Sequence, residues 1–185
     1  MLFYTVFYAV LIVITVAVLA DRILGSNGLA TSRRAARGVL EILEKRNIQE
    51  GIFIDFGSAS GWFSIFVAKR RPKLKVIGVE QDKLRVTLAR VRARIHGVGN
   101  VQFLSQDVFS SQLEQADVVY IFLPRDISGD VAEFLRARMH RGAIAIVNTF
   151  PLPLWEPVDI IPTRPERKDG FETLRVYEQK EKLYR

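Results

Sequence analysis

Three carboxylates in this chain are placed where they could meet a ligand. The first is Asp55, two residues ahead of a glycine in Asp55-Phe56-Gly57-Ser58-Ala59-Ser60-Gly61, where a strand gives way to a turn and then a helix. Gly57 and Gly61 let the backbone come close to a bound molecule, and the following helix offers N–H groups with no partner of their own. A dinucleotide loop would carry glycines at positions 57, 59 and 62, but those positions hold Gly57, Ala59 and Trp62. A pyrophosphate would also be repelled by Asp55. A carboxylate at that strand end suits a cationic amino group, reached directly or through water. The second strand ends in Glu80-Gln81, where Glu80 can accept from both hydroxyls of a ribose. The third ends in Gln106-Asp107-Val108, where Asp107 can accept the exocyclic amine of adenine. Taken singly, each acid has an ordinary explanation: a turn cap, a solvated strand end, a turn residue. Together, in this order, they suit a nucleoside that carries a cationic amino acid.

The elements that must hold these residues alternate along the chain. Thr31 or Ser32 can cap a helix with Ala36, Leu40 and Leu43 at helical spacing, ending near Asn47. Strands are expected at Ile52–Phe56, Val76–Val79, Val101–Leu104, Val118–Leu123 and Ala143–Val147. Helices are expected from about Gly61 to Arg70, from Asp82 to Gly97 with a stripe of Leu84, Leu88, Val91 and Ile95, and near Val131–His140. Short apolar strands alternating with amphipathic helices imply an α/β fold, a doubly wound and mostly parallel sheet covered on both faces. Val158–Ile161 and Thr173–Glu178 suggest an antiparallel C-terminal strand pair. In such a sheet a ligand binds beyond the carboxyl ends of the strands.

At 185 residues the chain has room for one domain with a substantial core. It has no cysteine and two histidines, so disulfides and thiolate metal sites are excluded and no metal is expected. Its net charge of +7 comes with dense basic runs at Lys69–Lys75 and Lys83–Arg94. These are solvated helix faces, or they meet an anionic membrane surface or a nucleic acid; the nucleic acid is admitted but not favoured. Leu2–Ala20 carries no charge and matches the ~20 apolar residues of a membrane-crossing helix. Arg22, Arg33, Arg34 and Arg37 follow it, which places the remaining chain on the cytoplasmic side. A cleaved signal peptide, cut after Ala20, is the rival; the absence of a basic start and the length of the run count against it. The expected organisation is therefore a transmembrane anchor at 1–21, a linker and lead-in helix at 22–50, and a domain at 51–185, with the protein a single-pass membrane protein.

The residues of the three strand ends resemble those of the class I, seven-stranded S-adenosylmethionine-dependent methyltransferases, with a Rossmann-like sheet, over roughly Ile52–Gln179. A narrower likeness is to the small membrane-anchored methyltransferases related to the ATP synthase c-subunit lysine N-methyltransferase family. It rests on the N-terminal span, Gly28–Arg34, Asp117–Pro124 and Gly142–Pro157. The resemblance implies S-adenosylmethionine as cofactor, held by Asp55, Gly57, Ser58, Gly61, Glu80, Gln81, Asp107 and Val108. It also implies lysine methylation of a protein substrate. The chain departs from the family pattern at Ala59, where a middle glycine is usual, and at Leu29–Ser32, where prolines are usual. Methyl transfer needs an aligned nucleophile and little water, and the end of the fourth strand is the natural place for it. Tyr120 could orient an amine there or be an ordinary buried strand tyrosine, and the carbonyl of Pro124 could shape the acceptor channel. Trp155 and Glu156 could line the acceptor side, Trp155 otherwise belonging to the core. A lipid, a quinone-like molecule or RNA as acceptor, and a non-catalytic module of the same fold, remain the alternatives.

Overall fold

The computed structural model describes residues 3–9, 11, 12, 15 and 30–180. Contacts divide the chain into two units, Met1–Ala30 and Thr31–Arg185. The second unit runs α1 (Arg33–Lys45), β1 (Gly51–Phe56), α2 (Trp62–Arg70), β2 (Leu74–Glu80), α3 (Lys83–Ile95), β3 (Val101–Ser105), β4 (Val118–Ile121), α4 (Ser128–Arg138), β5 (Ile144–Asn148), β6 (Asp159–Pro162) and β7 (Thr173–Glu178). Single 3-10 turns at Val108–Ser110 and Arg125–Ile127 are additions that periodicity did not announce. The seven strands lie in the order β3-β2-β1-β4-β5-β7-β6. β1 to β5 pair in parallel, and β7 enters antiparallel between β5 and β6.

The centre of the sheet is apolar on both faces. Every residue of β4 and of β5 is buried, which is why these strands read as unbroken hydrophobic runs. Polar residues at the element ends fix where the helices begin. Ser32 Oγ accepts from the Ala35 N–H at 3.2 Å and caps α1. Asp82 accepts from the N–H groups of Leu84 and Arg85 and caps α3.

Two expectations need correction. The stripe assigned to α3 is not its buried face: Leu84 and Ile95 are exposed, and Val86, Ala89 and Ala93 face the sheet. Small residues are needed there because the backbone comes very close. A Cβ on Gly61 would stand 2.7 Å from that of Ala89. The second correction concerns the membrane. No helix among the described residues is long and apolar enough to cross a membrane. That overturns the transmembrane helix, and with it the single-pass localisation and the span as the link to a membrane. Residues 2, 10, 13, 14 and 16–20 of the apolar run, and the signal-peptide cleavage site, lie outside the described residues.

Gly78 in the middle of β2 shows how tight the packing beneath the carboxyl edge is. A Cβ there would lie 2.5 Å from Phe103 Cδ1 and 2.8 Å from Ser58 Oγ. Gly78→Ala is therefore expected to destabilise the fold by about 1–3 kcal/mol, read as a lower denaturant midpoint with an unchanged slope. An unchanged midpoint would mean that β2 and β3 shift freely at this point.

Candidate active site

β1 carries Asp55 to the carboxyl edge of the sheet, in register with Gly78 on β2 and Tyr120 on β4. The side chain is buried, and no cation pairs with it among the described residues. Ser64, fully buried on α2, donates its hydroxyl to Asp55 Oδ2 at 2.5 Å. Burial pushes the Asp55 pKa up to about 7; the Ser64 hydrogen bond works against that rise, and the nearby Glu80 charge adds to it.

The loop after β1 is shaped around the end of β2. The N–H groups of Gly57 and Ser58 both donate to the Val79 carbonyl at 2.9 Å. Gly57, Ala59 and Gly61 all have positive φ, at 73°, 46° and 80°. A Cβ on Gly57 would come within 2.7 Å of Leu123 Cδ2. The Ser58 hydroxyl is buried without a hydrogen-bond partner among the described residues. Arg92 reaches across from α3 to the Ser60 carbonyl at 3.1 Å and also touches the Ser60 hydroxyl. Glu80 closes the loop from the other side: Oε2 accepts from the Ala59 N–H and Oε1 from the Asp82 N–H, both at 3.0 Å.

The sequence-derived residues thus fall into two groups. Asp55, Gly57, Ser58, Gly61 and Glu80 form one connected patch on β1 and β2. Gln106 joins it by donating its N–H to the Glu80 carbonyl. Asp107 is exposed and caps the 3-10 turn by accepting from the Phe109 N–H at 2.9 Å. Val108 lies half-buried against the core, and Gln81 is exposed just past Glu80. On the other side of β1, Tyr120 is buried with its ring 4.3 Å from Phe63. Its hydroxyl accepts from Asn148 Nδ2 at 3.0 Å and shares a hydrogen bond of 2.9 Å with Thr31 Oγ1. Burial raises the pKa of that phenol, so it is a neutral donor and acceptor. Pro124 is exposed and opens the turn at Arg125–Ile127. Trp155 is half-buried, packing on Tyr177 at 5.4 Å against the core, while Glu156 is exposed.

Ser64, Arg92, Thr31 and Asn148 were not found from the sequence. Ser64 had a visible signal, since it is the one polar residue in Trp62–Ala68. Asn148 closes an otherwise apolar strand. Arg92 was hidden in a basic run, and the partnership of Thr31 with Tyr120 is too distant in sequence to read.

The raised pKa of Asp55 has a consequence for stability. A carboxyl whose folded pKa lies above its unfolded value of 3.8 favours the fold at low pH, and that contribution is lost as pH rises towards 7. Without ligand, the wild type is expected to lose stability relative to Asp55→Asn between pH 4 and 7, by on the order of 4 kcal/mol. Thermal melts of both proteins across that window check this. Parallel curves would mean that Asp55 is solvated.

The family model described as the ANTKMT methyltransferase domain matches residues 55–159, which include both groups of site residues up to Glu156. The chain is 29% identical over 135 residues to the adenine nucleotide translocase lysine N-methyltransferase of Mus musculus, covering 72% of this chain and 57% of that protein. It is 26% identical over 132 residues to a protein-lysine N-methyltransferase of Saccharolobus islandicus, covering 71% of this chain and 81% of that one. Among solved structures, an RNA methyltransferase of Salinibacter ruber in complex with S-adenosyl-L-homocysteine superposes with a TM-score of 0.71. It covers 84% of this chain and 96% of its own, at 22% identity, a likeness of fold. With its carboxyl-edge cradle and this match over more than half of its length, the chain belongs to the ANTKMT methyltransferase domain family.

Proposed function

We propose that the protein methylates the side-chain amine of a lysine in a protein substrate. The observation that carries this reading is the similarity to two lysine N-methyltransferases over about seven-tenths of the chain. The cradle fits the cofactor: a cation-seeking carboxylate at Asp55, a loop whose glycines leave no room for side chains, and a buried Ser58 hydroxyl that wants a partner. Asp55 would attract the amino group, and Glu80 would take the ribose hydroxyls in place of the Ala59 and Asp82 N–H groups, which a water or a ligand oxygen can then satisfy. Gln81, Asp107 and Val108 would border the adenine. Bound there, S-adenosylmethionine supplies a methyl group on a sulfonium, an electrophile that needs no further activation. The lysine must arrive neutral, with its lone pair in line. As its N–C bond forms, the S–C bond breaks, and the extra proton on nitrogen passes to water.

On this reading the acceptor enters on the β4 side. The Tyr120 hydroxyl ties together the side chains of Thr31 and Asn148, and the carbonyl of the exposed Pro124 would accept from the amine. No charged base is assigned, because the Tyr120 phenol is held neutral.

Incubating the protein with a radiolabelled methyl donor and a cell extract, then separating protein, lipid and RNA, tests the acceptor. Label is expected in protein and, after acid hydrolysis, in methyl-lysine. Label in RNA or lipid alone would replace lysine with that acceptor. The cofactor assignment has its own test in calorimetric titration. Asp55→Asn and Glu80→Ala are each expected to weaken S-adenosylmethionine binding by at least about 1.5 kcal/mol, the cost of a lost charge-assisted hydrogen bond. Wild-type affinity should tighten as pH rises from 6 to 8 while Asp55 ionises, by up to about tenfold per pH unit below 7, and this slope should vanish in Asp55→Asn. Ala59→Gly bears on the departure in the loop. Removing a Cβ from a residue at φ 46° is expected to tighten binding or leave it unchanged, with stability changing by less than about 1 kcal/mol. A weaker cofactor complex would show that the Ala59 methyl is a contact.

A further inference from the structure

Glu172 is a buried acid that neither the cofactor cradle nor the acceptor assignment uses. It lies where β7 begins, next to the carboxyl end of β5, and is 1% exposed. Its polar groups are engaged on several sides. The N–H donates to Thr149 Oγ1 at 3.0 Å, and the carbonyl accepts from both the N–H and the hydroxyl of Thr163. Oε1 accepts from the Ser32 N–H at 3.2 Å, and Oε2 is ion-paired with Arg164. Three parts of the chain far apart in sequence thus meet at one residue: the lead into α1 and the loop between β6 and β7 at its carboxylate, and the turn after β5 at its backbone N–H.

The backbone at this junction is held in an unfavourable conformation. Glu172 has φ 59°, and Thr149, a β-branched residue, has φ 71°; both conformations are costly for residues with a Cβ. The two are hydrogen-bonded to each other, and Thr149 also donates its hydroxyl to Asn148 Oδ1 at 3.1 Å. Asn148 and Thr31 are the two partners of the Tyr120 hydroxyl. Glu172 therefore reaches Tyr120 by two routes, through Ser32 to Thr31 and through Thr149 to Asn148. Strain kept at a place that joins both routes is a mark of a constraint with a use beyond folding.

We propose that Glu172 is a positioning residue for the acceptor: it clamps the 31–32 segment over Tyr120 and so sets the geometry of the acceptor side without touching the cofactor. This rests on the acceptor entering at β4. The clamp separates two tasks. The cradle on β1 and β2 is carried by Asp55, Glu80 and the glycine loop, and the side-chain bonds of Asp55 and Glu80 run to Ser64, Ala59 and Asp82. Loss of the clamp should then be felt by the acceptor and not by S-adenosylmethionine.

Two variants test this in the full chain. Glu172→Gly removes the carboxylate and at the same time suits the positive φ, so the fold is relieved of strain as it loses contacts. Thr31→Val keeps the shape of residue 31 and removes only its hydroxyl. Each is expected to raise KM for the methyl-accepting protein by at least about fivefold, the worth of one ordinary hydrogen bond, with S-adenosylmethionine affinity by calorimetry within about twofold of wild type. The double variant should be no worse than the weaker single, because both act on one device. Glu172→Gln, which keeps an acceptor for Ser32, should recover part of the loss. Hydrogen exchange provides a readout without turnover: amides at residues 32–36 should exchange faster in Glu172→Gly, with or without cofactor. An unchanged KM together with unchanged exchange would overturn the clamp, and so would an equal loss of cofactor affinity. Should Glu172→Gly fail to fold, Thr31→Val decides by the same criteria. If the wild type places no label on lysine, the lysine reading fails on its own, and the exchange experiment still decides whether the clamp exists.

Discussion

A carboxylate buried at Asp55, with no cation to neutralise it among the described residues, is the constraint around which the carboxyl edge of the sheet is arranged. Desolvation disfavours its charge, and the compensation among the described residues is the Ser64 hydroxyl at 2.5 Å. That single bond ties β1 to the first turns of α2 and puts a polar residue into a helix face that is otherwise apolar. Glu80 stands close enough to raise the Asp55 pKa further, so the two strand ends repel each other unless something positive lies between them. A fold selected for stability alone would place an apolar residue or a cation here. The edge is instead built for a charge that arrives from outside, which is what a sulfonium-bearing amino acid provides on the proposed reading.

The second constraint is distance. The glycine loop can lie over β2 only because Gly57 and Gly61 adopt positive φ and because no Cβ stands at Gly61 or Gly78 to push Phe103 aside. Phe103 then fills the space under the loop, and α3 can press against it only with Val86, Ala89 and Ala93. Arg92 and Arg90 finish the arrangement by hydrogen-bonding to backbone carbonyls of Ser60 and Phe103. Part of the basic run on α3 is therefore spent on holding the cradle rather than on meeting an anionic surface. Ala59 is the exception within the loop. It accepts a left-handed backbone at φ 46° with a Cβ in place, and its N–H is engaged by Glu80.

Much of this was readable in the residues before the structure. The strand and helix order followed from apolar runs and caps, because Ser32 and Asp82 are strong local signals that act within three residues of themselves. The strand ends at Asp55 and Glu80 were readable because position in a doubly wound sheet determines where a ligand goes. Three things were not. The buried face of α3 was misread, since periodicity rewards large residues and the close approach at Gly61 demands small ones. The N-terminal apolar run has the length and composition of a span, and no described helix meets that requirement. The contacts of Tyr120 were out of reach, because Thr31 and Asn148 lie 89 and 28 residues away from it in sequence.

The uneven legibility has a physical origin in how the two halves of the site are made. The cradle is carried by backbone: N–H groups, positive φ angles and missing side chains, all within a few residues of a strand end. Such features leave a compact signature of glycines and acids, and they tolerate little change because backbone geometry has few solutions. The β4 side is carried by side chains gathered from α1, β5 and the start of β7, joined by hydrogen bonds over long loops. Each partner there can be exchanged for another polar residue if the network is rebuilt elsewhere, so no short motif survives to be read. On the proposed reading, cofactor binding is thus a local property of β1 and β2, whereas acceptor choice is a property of how the C-terminal strands return to the sheet. That division explains why the structural likeness to an RNA methyltransferase does not conflict with a protein acceptor. A common sheet edge can present one cofactor to different substrates, and the network around Tyr120 is where a lysine methyltransferase would have to differ.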